Sequence, residues 1–130
     1  MKTMLSPEGW PRPKGYANGI ITSARNTIYI GGQIGWNAQL EFESTDFVAQ
    51  TSQALLNVKA ILKEAGAGPE HMVRMTWYIT DRSAYLENQA EIGKVYREIM
   101  GKNYPTMSVL EVVALVEEQA RVEIEVTAAI

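Results

Sequence analysis

Apolar and polar residues alternate most regularly at the C-terminal end of the chain. From Arg121 to Thr127, Val122, Ile124 and Val126 take one face, and Arg121, Glu123, Glu125 and Thr127 take the other. Period-two alternation marks a half-buried β-strand. A second strand precedes it in Tyr104-Pro105-Thr106-Met107-Ser108-Val109-Leu110-Glu111-Val112-Val113. Near the N-terminus, residues 6–16 hold three prolines and are expected to form an extended arm, since proline is excluded from helix interiors and central strands. Strands are predicted over roughly 18–24 and 27–34, joined at Arg25-Asn26. The second ends in Gly31-Gly32, a pairing that marks close backbone approach.

Helical spacing takes over after Ser44 or Thr45, either of which can cap a long helix. Phe47, Thr51, Ala54, Leu55, Val58, Ile61, Leu62 and Ala65 form its apolar stripe, Lys59 and Lys63 suit the negative end of its dipole, and Gly66 stops it. A third strand is predicted over roughly 71–78. Thr80-Asp81 then cap a second helix carrying Tyr85, Leu86, Ile92, Tyr96, Ile99 and Met100, ended by Gly101. The order ββαβαββ predicts one α+β domain over residues 1–130, with both helices on one face of a sheet. Tyr29, Met75, Trp77 and Met107 are expected on the other face. That face would then be half apolar, and homo-oligomerisation would cover it.

Composition narrows the function. A chain of 130 residues, 46% hydrophobic and 21% charged, is an ordinary globular domain. A net charge of −3 disfavours nucleic acid as the main partner. The absence of cysteine excludes disulfides and thiolate catalysis, and a single histidine, His71, excludes a His-cluster metal site within one chain. No apolar run approaches the ~20 residues of a membrane span, and the first residues lack a signal-peptide pattern, so a cytoplasmic location is expected.

Residue types alone leave the chemistry open. Glu123 and Glu125 can be a solvated strand face balanced by Arg121, or one of them can be a general acid/base or water-positioning carboxylate in a cleft. Trp10, Trp36 and Trp77 can belong to core and interface, or Trp36 and Trp77 can line an apolar pocket. His71 reads as a surface turn residue. No phosphate-binding or dinucleotide-binding glycine motif is present.

Several segments, in order, resemble the RidA/YjgF superfamily, also called the L-PSP family. They are Gly15-Tyr16-Ala17-Asn18-Gly19, Ile30-Gly31-Gly32-Gln33-Ile34 with Asn37, the run from Gln53 to Gly66, the Thr80-Asp81 helix start, Tyr104-Pro105, and Val122-Glu123-Ile124-Glu125. The resemblance implies a chorismate-mutase-like homotrimer with small-molecule sites at the subunit interfaces, and no metal or organic cofactor. It also implies hydrolysis of enamine/imine intermediates such as 2-aminoacrylate to a keto acid and ammonia. By position, Tyr16 matches a tyrosine that closes the pocket, Gly32 a backbone donor, and Glu123 a glutamate that holds the attacking water. Gly93 stands roughly where the second helix offers an asparagine, and Val109 where the family has a pocket cysteine.

Met107 stands where the family carries the arginine that grips the substrate carboxylate. A thioether offers none of a guanidinium's donors. Losing a bidentate charged contact in a partly buried site costs about 2–5 kcal/mol of binding, a factor of tens to thousands. Three readings follow. The chain hydrolyses a larger or less polar imine, 2-aminomuconate-like by analogy, with Arg12 or Lys14 as substitute cation and Arg74 or Arg121 as weaker candidates. It binds a small metabolite or a protein partner without catalysis. It acts on nucleic acid as a ribonuclease, the reading its acidic balance favours least.

Overall fold

The computed structural model describes residues 1–130. Its centre is a four-stranded sheet in the order β3–β6–β4–β5, built from β3 (Thr27–Ile34), β4 (Met72–Ile79), β5 (Thr106–Glu111) and β6 (Val122–Ala129). β6 runs antiparallel to both neighbours, and β5 runs parallel to β4. A separate hairpin-like pair, β1 (Lys2–Leu5) and β2 (Gly19–Thr22), lies beside it. β1 is an addition to the expected ββαβαββ order. The Lys2 ammonium ties it to the sheet by donating to the Met72 carbonyl at 3.0 Å. The proline-rich arm between β1 and β2 contains neither helix nor strand, as expected.

Helix α1 (Phe47–Glu64) buries Phe47, Gln50, Thr51, Ala54, Leu55, Val58 and Leu62. Its cap is Asp46, whose carboxylate accepts from the Ala49 amide at 2.9 Å. Ser44 and Thr45 are therefore not the cap, and Ser44 instead accepts from the Asp46 amide. The expected second helix is two: α2 (Arg82–Glu87), capped by Asp81, and α3 (Gln89–Met100). The break falls at Asn88, whose side-chain amide turns back to the Ala84 carbonyl at 2.7 Å and competes with continued helix.

Alternation along the sheet separates its two faces. Val122, Ile124, Val126 and Ala128 of β6 and Met72, Met75, Trp77 and Ile79 of β4 are buried together with the helices in one core. In register, Met107 pairs with Met75, and Val109 with Trp77, so both β5 residues also point toward the helices and pack on that core. This corrects the expected face for Met75, Trp77 and Met107. Trp77 is 2% exposed, edge-on to Tyr85 with ring centroids 6.2 Å apart. The uncovered face carries Arg74, Thr76, Tyr78, Ser108, Glu123, Glu125 and Thr127 together with the exposed Tyr29 and Leu110, so part of it is apolar, though through other residues than Met75, Trp77 and Met107.

A buried polar clamp joins the start of α1 to the loop before β6. Gln50, 1% exposed, donates to the Ser44 and Gln119 carbonyls, both at 3.0 Å, and accepts from the Arg121 amide at 2.8 Å. Gly35 lies directly beneath it. A Cβ there would sit 2.7 Å from the Gln50 Cα and 2.8 Å from its carbonyl oxygen. Backbone cannot yield as a flexible side chain does, so Gly35→Ala is expected to destabilise the fold by about 1–3 kcal/mol. Chemical denaturation measures it, and an unchanged midpoint would show that α1 is not held against this loop.

Candidate functional site

The expected site residues fall into two groups. The first lies on the uncovered face. β3 bulges between Ile30 and Gln33, and β6 presents Glu123 beside that bulge, opposite Ile34 of β3 and Tyr78 of β4. A Cβ at Gly32 would collide with the Glu123 carboxylate. Glycine is therefore required there for the carboxylate to lie against the strand backbone. Of the paired glycines, Gly32 thus meets Glu123 of the last strand, while Gly31 faces open space.

The second group lies around the β5 edge. Ala17 extends the sheet there. Its amide donates to the Pro105 carbonyl at 3.0 Å, and it bridges Thr106 in parallel. Met107, Ala17, Asn18 and Arg74 border a cleft of about 300 Å³. Ala17 and Asn18 also border a larger cleft of about 640 Å³, which holds Tyr16, Arg12, Lys14, Lys102 and Tyr104. Tyr16 is 44% exposed at this cleft.

Within one protomer these groups do not meet. Met107 pairs with Met75, which pairs with Val126, three residues along β6 from Glu123. Two interstrand spacings and three strand residues place the two Cα positions roughly 14 Å apart. The side chains also leave opposite faces of the sheet, as the register requires.

The remaining candidates stand elsewhere. Trp36 packs on Phe42, ring centroids 5.9 Å apart, in the loop between β3 and α1, where Asn57 donates to its carbonyl at 2.8 Å. Of the two readings open for Trp77, core and pocket wall, the structure takes the core, because its β4 position faces the helices. Gly93 is half-buried on α3, with the Arg97 guanidinium 3.2 Å from where its Cβ would be. Val109 is half-buried against the core. The Arg121 side chain is engaged with the Thr45 carbonyl at 2.6 Å.

Sequence reasoning missed Tyr78 and Lys102. The Tyr78 hydroxyl donates to Glu125 at 2.6 Å on the uncovered face. Together with Tyr29, Arg74, Thr76, Ser108 and Leu110 they border a hollow of about 610 Å³. Strand register, with Thr76 opposite Glu125 and Tyr78 opposite Glu123, is the signal that locates the pair.

With this geometry in hand, the comparisons with known proteins are informative. A family model described as Endoribonuclease L-PSP matches residues 11–130. A RutC family protein of Pyrococcus horikoshii is 33% identical over 130 residues, covering 98% of each chain. The chain belongs to the RidA/YjgF/L-PSP superfamily. The human 2-iminobutanoate/2-iminopropanoate deaminase is 31% identical over 114 residues, spanning 87% of this chain and 78% of that one. Among solved structures, the Rid-family protein YyfB of Yersinia pestis, itself of unknown function, superimposes with a TM-score of 0.88 at 31% identity over 99% of this chain and 98% of that one. The likeness extends to RidA of an Antarctic Psychrobacter, with a TM-score of 0.70 at 28% identity and 98% of each chain covered. The fold is the chorismate-mutase-like α+β fold of this superfamily.

The Tyr78–Glu125 pair gives a test of the local field. The hydrogen bond to Glu125, which ionisation would break, holds the phenol above its ordinary range; desolvation and the charges of Glu125 and Glu123 add to the effect, and Arg74 opposes it. Glu125→Gln is expected to lower the Tyr78 titration midpoint toward ~10, followed by NMR of the tyrosine ring. An unmoved midpoint would contradict the hydrogen bond.

Proposed function

We propose that the protein hydrolyses an enamine or imine intermediate to a carbonyl product and ammonia, in the cytoplasm, at sites formed between the subunits of a homotrimer. The observation that carries this reading is the Glu123 carboxylate laid against Gly32, in a chain of this superfamily. Glu123 holds a water and takes its proton as the oxygen attacks the iminium carbon. Glu123 returns that proton to the nitrogen of the resulting carbinolamine and takes the proton of its hydroxyl as the C–N bond breaks, ammonia leaves and the C=O bond forms. A half-buried carboxylate suits this exchange, because water reaches it while the strands fix its direction.

The trimer enters through geometry. Glu123 and Gly32 on one protomer and Met107, Val109 and Tyr16 at the β5 edge of another can frame one substrate, whereas in a single protomer they lie on opposite faces of the sheet. β5 is an edge strand, and its outer side pairs only with Ala17, so the edge is available to a neighbour.

Met107 and Val109 then line the substrate side with thioether and methyl groups. This supports a larger or less polar substrate than 2-aminoacrylate, 2-aminomuconate-like by analogy. The relative named as a 2-iminobutanoate/2-iminopropanoate deaminase supports imine chemistry in general rather than that substrate. Met107 is also the observation that favours the second reading, a metabolite-binding trimer without turnover. The description of the matching family model points to nucleic acid cleavage, but the charge of the uncovered face disfavours it, since Glu123 and Glu125 stand there against the cation Arg74.

Two variants test the reading by ammonia release from a panel of imines. Glu123→Gln is expected to lower kcat by about 10²–10⁴-fold on any imine the wild type hydrolyses. Equal rates would remove Glu123 from the chemistry. Met107→Arg is expected to raise kcat/KM for 2-aminoacrylate at least about tenfold, the lower end of what a bidentate charge contact contributes. No gain would mean that the pocket has diverged beyond this residue.

A further inference from the structure

The cleft that holds Tyr16 has an unusual distribution of charge. Arg12, Lys14 and Lys102 all border it, and no acidic residue does. None of the three has a carboxylate within ion-pair distance. In a chain of net charge −3, three unneutralised cations have been brought to one place by segments nearly ninety residues apart in sequence. Like charges so placed repel one another, and an anion between them reverses the sign of that energy.

The rest of the cleft is apolar and firm. Met4 and Leu5 of β1 and the rings of Tyr16 and Tyr104 contribute to its walls. Tyr104 is fixed by stacking on Tyr96, with ring centroids 5.2 Å apart and planes 13° from parallel. The Tyr96 hydroxyl in turn donates to the Asn103 carbonyl, beside Lys102. Three prolines stiffen the arm that presents Arg12 and Lys14. Through Ala17 and Asn18 this cleft adjoins the one bordered by Met107. Lys102 lies five residues before Met107, so at most about 17 Å of chain separates them.

We infer that Arg12 and Lys102, with Lys14 at the rim, form a carboxylate site remote from Met107, so that the substrate class is an imine or enamine whose carboxylate lies several carbons from its C=N carbon. The distal carboxylate sits between the cations, the aliphatic chain lies along Tyr16 and Tyr104, and the reacting carbon reaches the Met107 side of the cleft. A substrate whose only carboxylate adjoins the C=N carbon would place that charge against a thioether and leave the cations unoccupied, whereas a 2-aminomuconate-like dicarboxylate keeps its distal carboxylate between them. The assignment of the reacting end rests on the proposed hydrolysis, and the anion site does not.

Calorimetric titration of the intact oligomer separates the two. The probes are 5-oxohexanoate, its neutral amide, and pyruvate, whose carboxylate adjoins the carbonyl. The variants are Arg12→Gln with Lys102→Gln, both exposed positions outside the core, and Arg74→Gln, the cation bordering the Met107 cleft. The expected result is that 5-oxohexanoate binds at least tenfold more tightly than either its amide or pyruvate. The Arg12/Lys102 double variant should lose that preference while binding the amide as the wild type does, and added salt should weaken only the anion. Equal affinity for acid and amide, no binding of the acid at millimolar concentration, or a loss confined to Arg74→Gln would each overturn the site. If the site holds but no imine of a long-chain keto acid releases ammonia, the anion cleft stands and the hydrolytic reading falls.

Discussion

Glu123, Gly32 and Met107 take their directions from a sheet that is covered on one side only. β6 lies between β3 and β4, and it alternates from Val122 to Ala128: the residues that meet the helices are aliphatic, and those between them are Glu123, Glu125 and Thr127. Burying the aliphatic row under α1 and α3 supplies most of the hydrophobic stabilisation, at roughly 25 cal/mol for each Å² of apolar surface removed from water. A one-residue slip in register would drive two carboxylates into that core, which is why the strand has no alternative pairing. The direction of Glu123 is thus fixed by the same energy that holds the domain together. Gly32 then removes the one obstacle to laying its carboxylate on the neighbouring strand.

The same constraint sends Met107 the other way. Through Met75 its register ties it to the helix-covered face, where it packs partly on the core and partly toward the β5 edge. An apolar side chain is at home there, whereas an arginine would have to extend along the edge into solvent or into a neighbouring subunit. The replacement therefore costs the fold little and changes what the edge can hold. The cations of the adjacent cleft are carried by the arm and by the turn before β5, outside the register of the sheet, so they are free to differ without disturbing it.

How far the sequence reveals this depends on how local each signal is. The last strand, α1 and the glycine stops were legible because periodicity and capping are read within a few residues. β4 was harder. Met-Val-Arg-Met-Thr-Trp-Tyr-Ile has large apolar groups on both faces, and only pairing with β6 shows that Met75 and Trp77 face the helices. β1 escaped notice because its four residues are largely exposed and carry no burial pattern. The Asn88 break depends on a side chain turning back on its own helix. Tyr78 and Glu125 are 47 residues apart, and Lys102 meets Arg12 only through the folded arm. The resemblance to a family located Tyr16, Gly32 and Glu123 together, but it could not show that Glu123 and Met107 leave opposite faces of one protomer.

Subunit complementation addresses that division most directly. Glu123→Gln would disable the water-holding side of a site, and Met107→Trp would fill its β5 side. If each site combines these two sides from different protomers, co-refolding the two variants at equal ratio regenerates intact sites at roughly a quarter of the interfaces of a cyclic trimer. The account predicts that imine hydrolysis returns in the mixture to about that fraction of the wild-type rate. A mixture no more active than either variant alone, with both incorporated into the same oligomers, would show that Glu123 and Met107 serve a site within one protomer and would contradict the account.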